Sequence, residues 1–207
     1  MTAALPVMLR ALKLPGIAEH YAGVAETAAR EGWRFDEYLS HLLEIELSER
    51  RRRRIERLVK ESNLPPDKTL GTLDLARLPV PVRRMLPVLC EGAFAERGDN
   101  VLAFGLPGRG KTHLLAAIGN ELVRKGVRVL FIAAFALVQR LLAAKRLLTL
   151  EKMLHDLDGF DVIAIDDIGY IQQDREEMEV LFTFLAERYE RRSVMISSNL
   201  VFSQWDR

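Results

Sequence analysis

Gly105-Leu106-Pro107-Gly108-Arg109-Gly110-Lys111-Thr112 fits the pattern G-x-x-x-x-G-K-[ST], and its flanks decide how it reads. Ahead of it, Val101-Leu102-Ala103-Phe104 is a short apolar run. Behind it, residues 112–125 carry a helical pattern that stops at Gly126. A strand, a glycine-rich loop and a helix in that order form a phosphate cradle. Glycines let the backbone turn its N–H groups inward, and the helix start adds its positive dipole end. In such a loop Lys111 reaches the β- and γ-phosphates, and Thr112 offers a hydroxyl to Mg2+. The bland alternative is a chance match in a glycine-containing loop, which the flanking strand and helix argue against. The nucleotide-contacting stretch is Gly105, Leu106, Pro107, Gly108, Arg109, Gly110, Lys111, Thr112 and His113. Within it Arg109 reads as loop filler and His113 as a helix-start residue.

The texture continues beyond the loop. Residues 127–132 are apolar and β-branched, 135–155 are helical, 162–165 form an apolar strand, 176–191 are helical, and 194–196 form a fourth strand. Fully apolar strands alternating with helices predict an α/β fold, a parallel sheet covered on both faces. Val162-Ile163-Ala164-Ile165-Asp166-Asp167 delivers two carboxylates at the end of a buried strand, the form of a Walker B motif. Asp166 then holds Mg2+ through its water shell, and Asp167 polarises the attacking water. Many such enzymes carry Glu at the second position, so Asp167 must reach with one methylene less. A turn opened by two aspartates is the alternative. The fourth strand turns polar at Ser197-Ser198-Asn199, and Asn199 can orient a water beside the γ-phosphate or simply make a turn.

The first 63 residues read as a helical domain. Leu12, Leu14, Ile17, Tyr21 and Val24 recur at helical spacing, and a second pattern from Phe35 to Val59 stops at Asn63-Leu64-Pro65-Pro66. Residues 64–97 are a connector with one helical piece, 82–94, and 98–207 are the core. At formal net charge +1, 49% hydrophobic and 29% charged residues, the 207-residue chain excludes disorder and any global nucleic-acid field. One cysteine, Cys90, excludes an internal disulfide, and no apolar run is long enough to span a bilayer. A cytoplasmic protein is expected.

The stretches GLPGRGKTHL, VIAIDDIGY and RYERRSVMISSNLVFSQW, together with LKLPGIAEHY and FDEYLSHLLEIELSERRRRRIERLVKESNLP, resemble the IstB/DnaC group of AAA+ ATPases, and IstB-like transposition helpers in particular. The resemblance spans nearly the whole chain. It implies a P-loop core with sheet order 5-1-4-3-2, ATP and Mg2+ as cofactors, and ATP-dependent oligomeric assembly on double-stranded DNA beside a transposase. It assigns Lys111 and Thr112 to Walker A, Asp166 and Asp167 to Walker B, and Asn199 to sensor 1. Family members continue past Gln204-Trp205-Asp206-Arg207 with an arginine finger, a fifth strand and a lid. The chain is therefore expected to be a C-terminally shortened copy, with its ATPase activity in doubt. Arg188, Arg191 and Arg192 are expected to face solvent or a neighbour. The alternatives are a helicase loader of the DnaC type and a catalytically impaired ATP-binding interaction module.

Arg50 to Arg54 ring their helix. Pairing at i,i+4 is expected for Glu46–Arg50, Glu49–Arg53 and Glu56–Lys60, which leaves Arg52 and Arg57 unused. Beside the family resemblance, Arg50, Arg52, Arg53 and Arg57 become candidate contacts to duplex phosphates, without base reading.

Overall fold

The computed structural model describes residues 4–170 and 174–199. Its contacts divide the chain into two units, Met1–Glu56 and Arg57–Arg207. The end at Gln204–Arg207, on which the expectation of a shortened core rests, lies outside the described residues.

The first unit holds α1 (Ala4–Ala11), α2 (Pro15–Glu31) and most of α3 (Phe35–Ser62). Pro15 sits in the first turn of α2, where its missing N–H costs nothing, and Gly32 ends the helix in the left-handed region at φ 70°. Leu14, at the helix start, gives no side-chain cap. Glu46 of α3 supplies one instead: Oε2 accepts the N–H of Gly16 at 2.7 Å and of Ile17 at 3.1 Å. Leu9, Ile17 and Leu42 form the small core, with Tyr21, Val24 and Tyr38 against it. The spacing from Phe35 onward produces one unbroken helix of 28 residues.

The arginine run is more heavily paired than expected. Glu46–Arg50 and Glu49–Arg53 form, at 2.8 and 3.5 Å. Glu56, however, pairs with Arg52 at 2.6 Å and not with Lys60, and Arg52 also holds Glu49 at 2.7 Å. Arg57 pairs with Glu61 at 3.9 Å. Arg52 and Arg57 are thus not left over. Arginine is long enough to reach acids at both i−3 and i+4, which simple i,i+4 counting overlooks.

The second unit runs α4 (Val80–Glu91), α5 (Ala93–Arg97), β1 (Val101–Phe104), α6 (Lys111–Arg124), β2 (Val129–Ala133), α7 (Ala134–Arg146), α8 (Leu150–Asp158), β3 (Val162–Asp166), α9 (Arg175–Arg188) and β4 (Ser193–Ser198). The four strands are parallel in the order β1-β4-β3-β2, the order the resemblance implies for strands one to four. Strand residues alternate between two cores. Val129, Val162, Ala164 and Met195 face α4, α5 and α6, while Leu130, Ile163, Ile165, Val194 and Ile196 face α7, α8 and α9. Both faces are covered, which is why the strands read as uninterrupted apolar runs.

Three features differ from the sequence reading. The single helix expected at 82–94 starts at Val80 and breaks at Gly92, whose φ of 89° ends α4 before α5 begins. The helix expected over 135–155 is two helices, α7 and α8. Leu148 adopts φ 56°, and Thr149 N–H bonds back to Ala144 O at 2.8 Å. That is a Schellman-type end made without glycine, so no breaker residue announces it. Arg188 is not presented to solvent: at 2% exposure it donates to the carbonyls of Leu157, Phe160 and Ser193 at 3.0, 2.9 and 3.1 Å. Burial pushes its pKa down to about 10. Arg191 and Arg192 pair with Asp158 and Asp161 at 2.8 and 2.7 Å. These contacts tie together the amino-terminal ends of β3 and β4, opposite the ends that carry Asp166 and Asn199.

Candidate nucleotide-binding site

β1 feeds the glycine loop at the carboxyl edge of the sheet. Gly105, Gly108 and Gly110 take φ values of 156°, 72° and 82°, which side chains resist. Gly105 N–H bonds to Ser198 O at 3.2 Å, so the loop leaves β1 anchored to β4. Gly110 precedes α6 without a side-chain cap, and the first N–H groups of the helix stay available to an anion. Lys111 Nζ donates to the carbonyls of Gly105 at 2.7 Å and Leu106 at 3.1 Å, which holds the ammonium across the loop.

A cleft of ≈ 340 Å³ opens here. Pro107, Gly108, Arg109, Gly110, Lys111, Thr112 and His113 line it, facing Asp167 and Asn199. Three separated stretches of chain therefore converge. Asn199 Oδ1 is buried with no hydrogen-bond partner among the described residues, and such an acceptor suits a water or ligand donor. Asp167 holds φ 58°, a conformation uncommon outside glycine, asparagine and aspartate. Asp166 does not line the cleft. It ends β3 one residue behind, and its Oδ1 accepts the hydroxyl of Ser197 at 2.6 Å. Gly105 and Leu106 likewise stand behind the wall, as acceptors of the Lys111 ammonium.

The opposite wall is absent from the sequence reading. Lys68, from the stretch that reads as a connector, also lines the cleft, and no carboxylate lies within ion-pair distance of it among the described residues. Its backbone is fastened to α6: Asn120 Nδ2 donates to Lys68 O at 3.0 Å and Pro65 O at 3.3 Å. His113 is more than a helix-start residue. Its Nε2 lies 3.1 Å from both Thr69 O and Thr72 Oγ1. Thr69 O can only accept, so the imidazole nitrogen is the donor there, and Thr72 Oγ1, which has Asp67 O at 2.7 Å and Thr69 O at 3.1 Å for its own proton, can accept from the same N–H. One signal is available in Gly119, inside α6. A Cβ there would meet Leu64 Cδ2 at 2.8 Å, so this glycine marks the close approach of residues 64–78, which lie against α6 as a strap. A second cleft of ≈ 340 Å³ adjoins, between Thr72, Leu73, Asp74, Arg77 and Leu78 of the strap and Gly108, Arg109, Gly110 and His113.

The donor set suits magnesium. The ion takes one or two protein oxygens and completes its shell with phosphate and water. Thr112 lines the cleft, Asp166 keeps one oxygen unbound by Ser197, and no cluster of three or more acidic, histidine or cysteine ligands occurs among the described residues.

A parallel sheet with a glycine loop, paired acids and a polar strand end at one edge defines a P-loop nucleotide-binding protein of the AAA+ type. The profile of the IstB-like ATP binding proteins matches residues 7–207, and the chain belongs to that family. It is 44% identical over 206 residues to an insertion sequence ATP-binding protein of Sinorhizobium fredii, covering 99% of this chain and 69% of that protein. It is 37% identical over 201 residues to the insertion sequence IS21 ATP-binding protein of Pseudomonas aeruginosa, covering 97% and 76%. Among solved structures, the DnaC helicase loader superposes with a TM-score of 0.58 at 24% identity, over 66% of this chain and 79% of that one. No described helix is long and apolar enough to cross a membrane.

Proposed function

We propose that the chain is an ATP-driven helper of a DNA transposase, assembling on double-stranded target DNA as an oligomer. The observation that carries the ATP-binding part is the convergence of Lys111, Thr112, Asp167 and Asn199 on one cleft. The glycine loop and the start of α6 cradle the phosphates, and Lys111 transfers its ammonium from loop carbonyls to phosphate oxygens. Thr112 and Asp166 would hold magnesium, which when bound would supply charge neutralisation to the phosphates. Asp167 polarises a water that Asn199 orients with its unpartnered Oδ1. Lys68 adds a second cation to the phosphate side. The adjoining cleft, partly apolar through Leu73 and Leu78, suits the base.

The insertion-sequence names of the relatives support a role in transposition. For duplex contact the arginine run of α3 is the strongest basic feature. Arg52, Arg53 and Arg57 keep unbound guanidinium N–H groups beside their ion pairs, and Arg51 is exposed to solvent. Arg50 likewise keeps the N–H groups of Nη1 beside its bonds to Glu46 and to Lys13 O.

Magnesium-dependent ATP binding and turnover test the site. Both fall to background in Lys111→Ala if the reading holds. Binding of ATP by Lys111→Ala at wild-type affinity contradicts it.

A further inference from the structure

Ser197 is fully buried close to the carboxyl end of β4. Its Oγ lies 2.6 Å from Asp166 Oδ1 and 2.9 Å from Asp167 N. The chemistry fixes both directions. An ionised carboxylate only accepts, so the hydroxyl proton points to Asp166, and an amide N–H only donates, so it points to a lone pair of the same oxygen. One hydroxyl therefore binds both acids of the Walker B pair.

The location explains the need. Parallel register between β3 and β4 ends at Ile165 opposite Ile196, one residue short of Asp166 and Ser197. The serine side chain takes over where the backbone ladder stops. It fixes one oxygen of Asp166, leaving the other unbound by the serine, and it holds the amide of Asp167 in its left-handed turn at φ 58°. The next two residues complete the edge: Ser198 O receives the N–H of Gly105, and Asn199 lines the cleft.

We propose that Ser197 is a positioning residue that presents Asp166 to magnesium and Asp167 to the water. The proposal rests on the reading of the cleft as a magnesium–ATP site. Groups that orient a metal-binding carboxylate typically change metal affinity ten- to a hundredfold when removed. Removing the hydroxyl should therefore weaken the gain in nucleotide affinity that magnesium provides, without touching the loop that holds the phosphates.

The test uses the 207-residue chain and a fluorescent ATP analogue, titrated with magnesium and again in EDTA. Ser197→Ala, and Ser197→Cys, which keeps the side-chain shape with a larger and much weaker donor, should each reduce the magnesium-linked gain by about tenfold. Affinity in EDTA should stay at the wild-type value, and the thermal midpoint should fall by only a few degrees, because the Asp167 amide loses its acceptor. A wild-type magnesium gain in both variants overturns the proposal, as does an equal loss of affinity with and without magnesium. Lys111→Ala separates the two levels. Full nucleotide affinity in that variant refutes the ATP site itself, whereas loss there beside unaltered Ser197 variants refutes only the positioning role.

Discussion

Glu46 accepts the backbone N–H of Gly16 at 2.7 Å and so closes the open first turn of α2 from a position 30 residues further along the chain. The carboxylate is 3% exposed. Burial raises its pKa, but hydrogen bonds from Arg50, Ile17 and Gly16 outweigh that and hold it below the ordinary glutamate value. Glu46→Ala should cost about 2 kcal/mol, because two buried N–H groups lose their acceptor. A lowered folded pKa means the stabilisation is complete above the unfolded value and disappears as pH falls through the folded one. Wild type should therefore lose stability below about pH 4.5, more steeply than Glu46→Ala. Urea unfolding followed by circular dichroism between pH 7 and pH 3 checks this, and parallel curves for the two proteins would contradict it.

Asn120 and His113 hold the strap that carries Lys68 to the cleft. Lys68→Ala should weaken ATP binding by roughly tenfold, the order expected for a charge-assisted contact to phosphate. Asn120→Ala and His113→Ala should each weaken it several-fold by releasing the strap. Lys68→Arg should retain most of the affinity. Fluorescence titration reads all four, and wild-type affinity in Lys68→Ala would remove the second cation from the site.

Arg188 serves the carbonyls at the amino-terminal edge of the sheet, the edge opposite the one that carries the cleft. Arg188→Met should destabilise the second unit by about 3 kcal/mol, since four backbone carbonyls lose a charged donor. Nucleotide affinity of the protein that remains folded should not change. A variant as stable as wild type, or one folded but unable to bind ATP, would show that the guanidinium does something else.

Arg51 and Arg53 flank the most heavily paired arginine of α3. Replacing both with glutamate should reduce duplex affinity uniformly across sequences. The slope of log affinity against log salt should become shallower by about one for each phosphate the variant no longer neutralises. ATP affinity should be unaffected. Filter binding or anisotropy with two unrelated duplexes measures it. An unchanged affinity makes the run a solvated helix face.

The parts of the fold legible in the sequence are those whose chemistry is local. The glycine loop, the apolar strand ending in Asp166-Asp167 and the strand ending in Asn199 each declare themselves within about ten residues, and the parallel sheet follows from strands apolar on both faces. What stays hidden depends on partners far along the chain. Asn120 reaches Lys68 across 52 positions and His113 reaches Thr69 across 44, so a strap that walls the cleft reads as a connector. Ser197 reads as the polar tail of a strand, because its two partners sit at the end of β3. Arg188 reads as solvent-facing because composition does not show four backbone carbonyls converging on one guanidinium. The α7–α8 break rests on a leucine in a left-handed turn, a state residue preference argues against.

The proposed function predicts a grip on duplex DNA, through the arginine run, that depends on nucleotide in the cleft. Duplex affinity with ATP, without nucleotide and in Lys111→Ala, each followed across a salt series, reads that coupling without intermediaries. Tight binding is expected only for wild type with ATP, falling steeply as salt rises. Equal affinity in all three conditions, or no binding even at low salt with ATP, would contradict it.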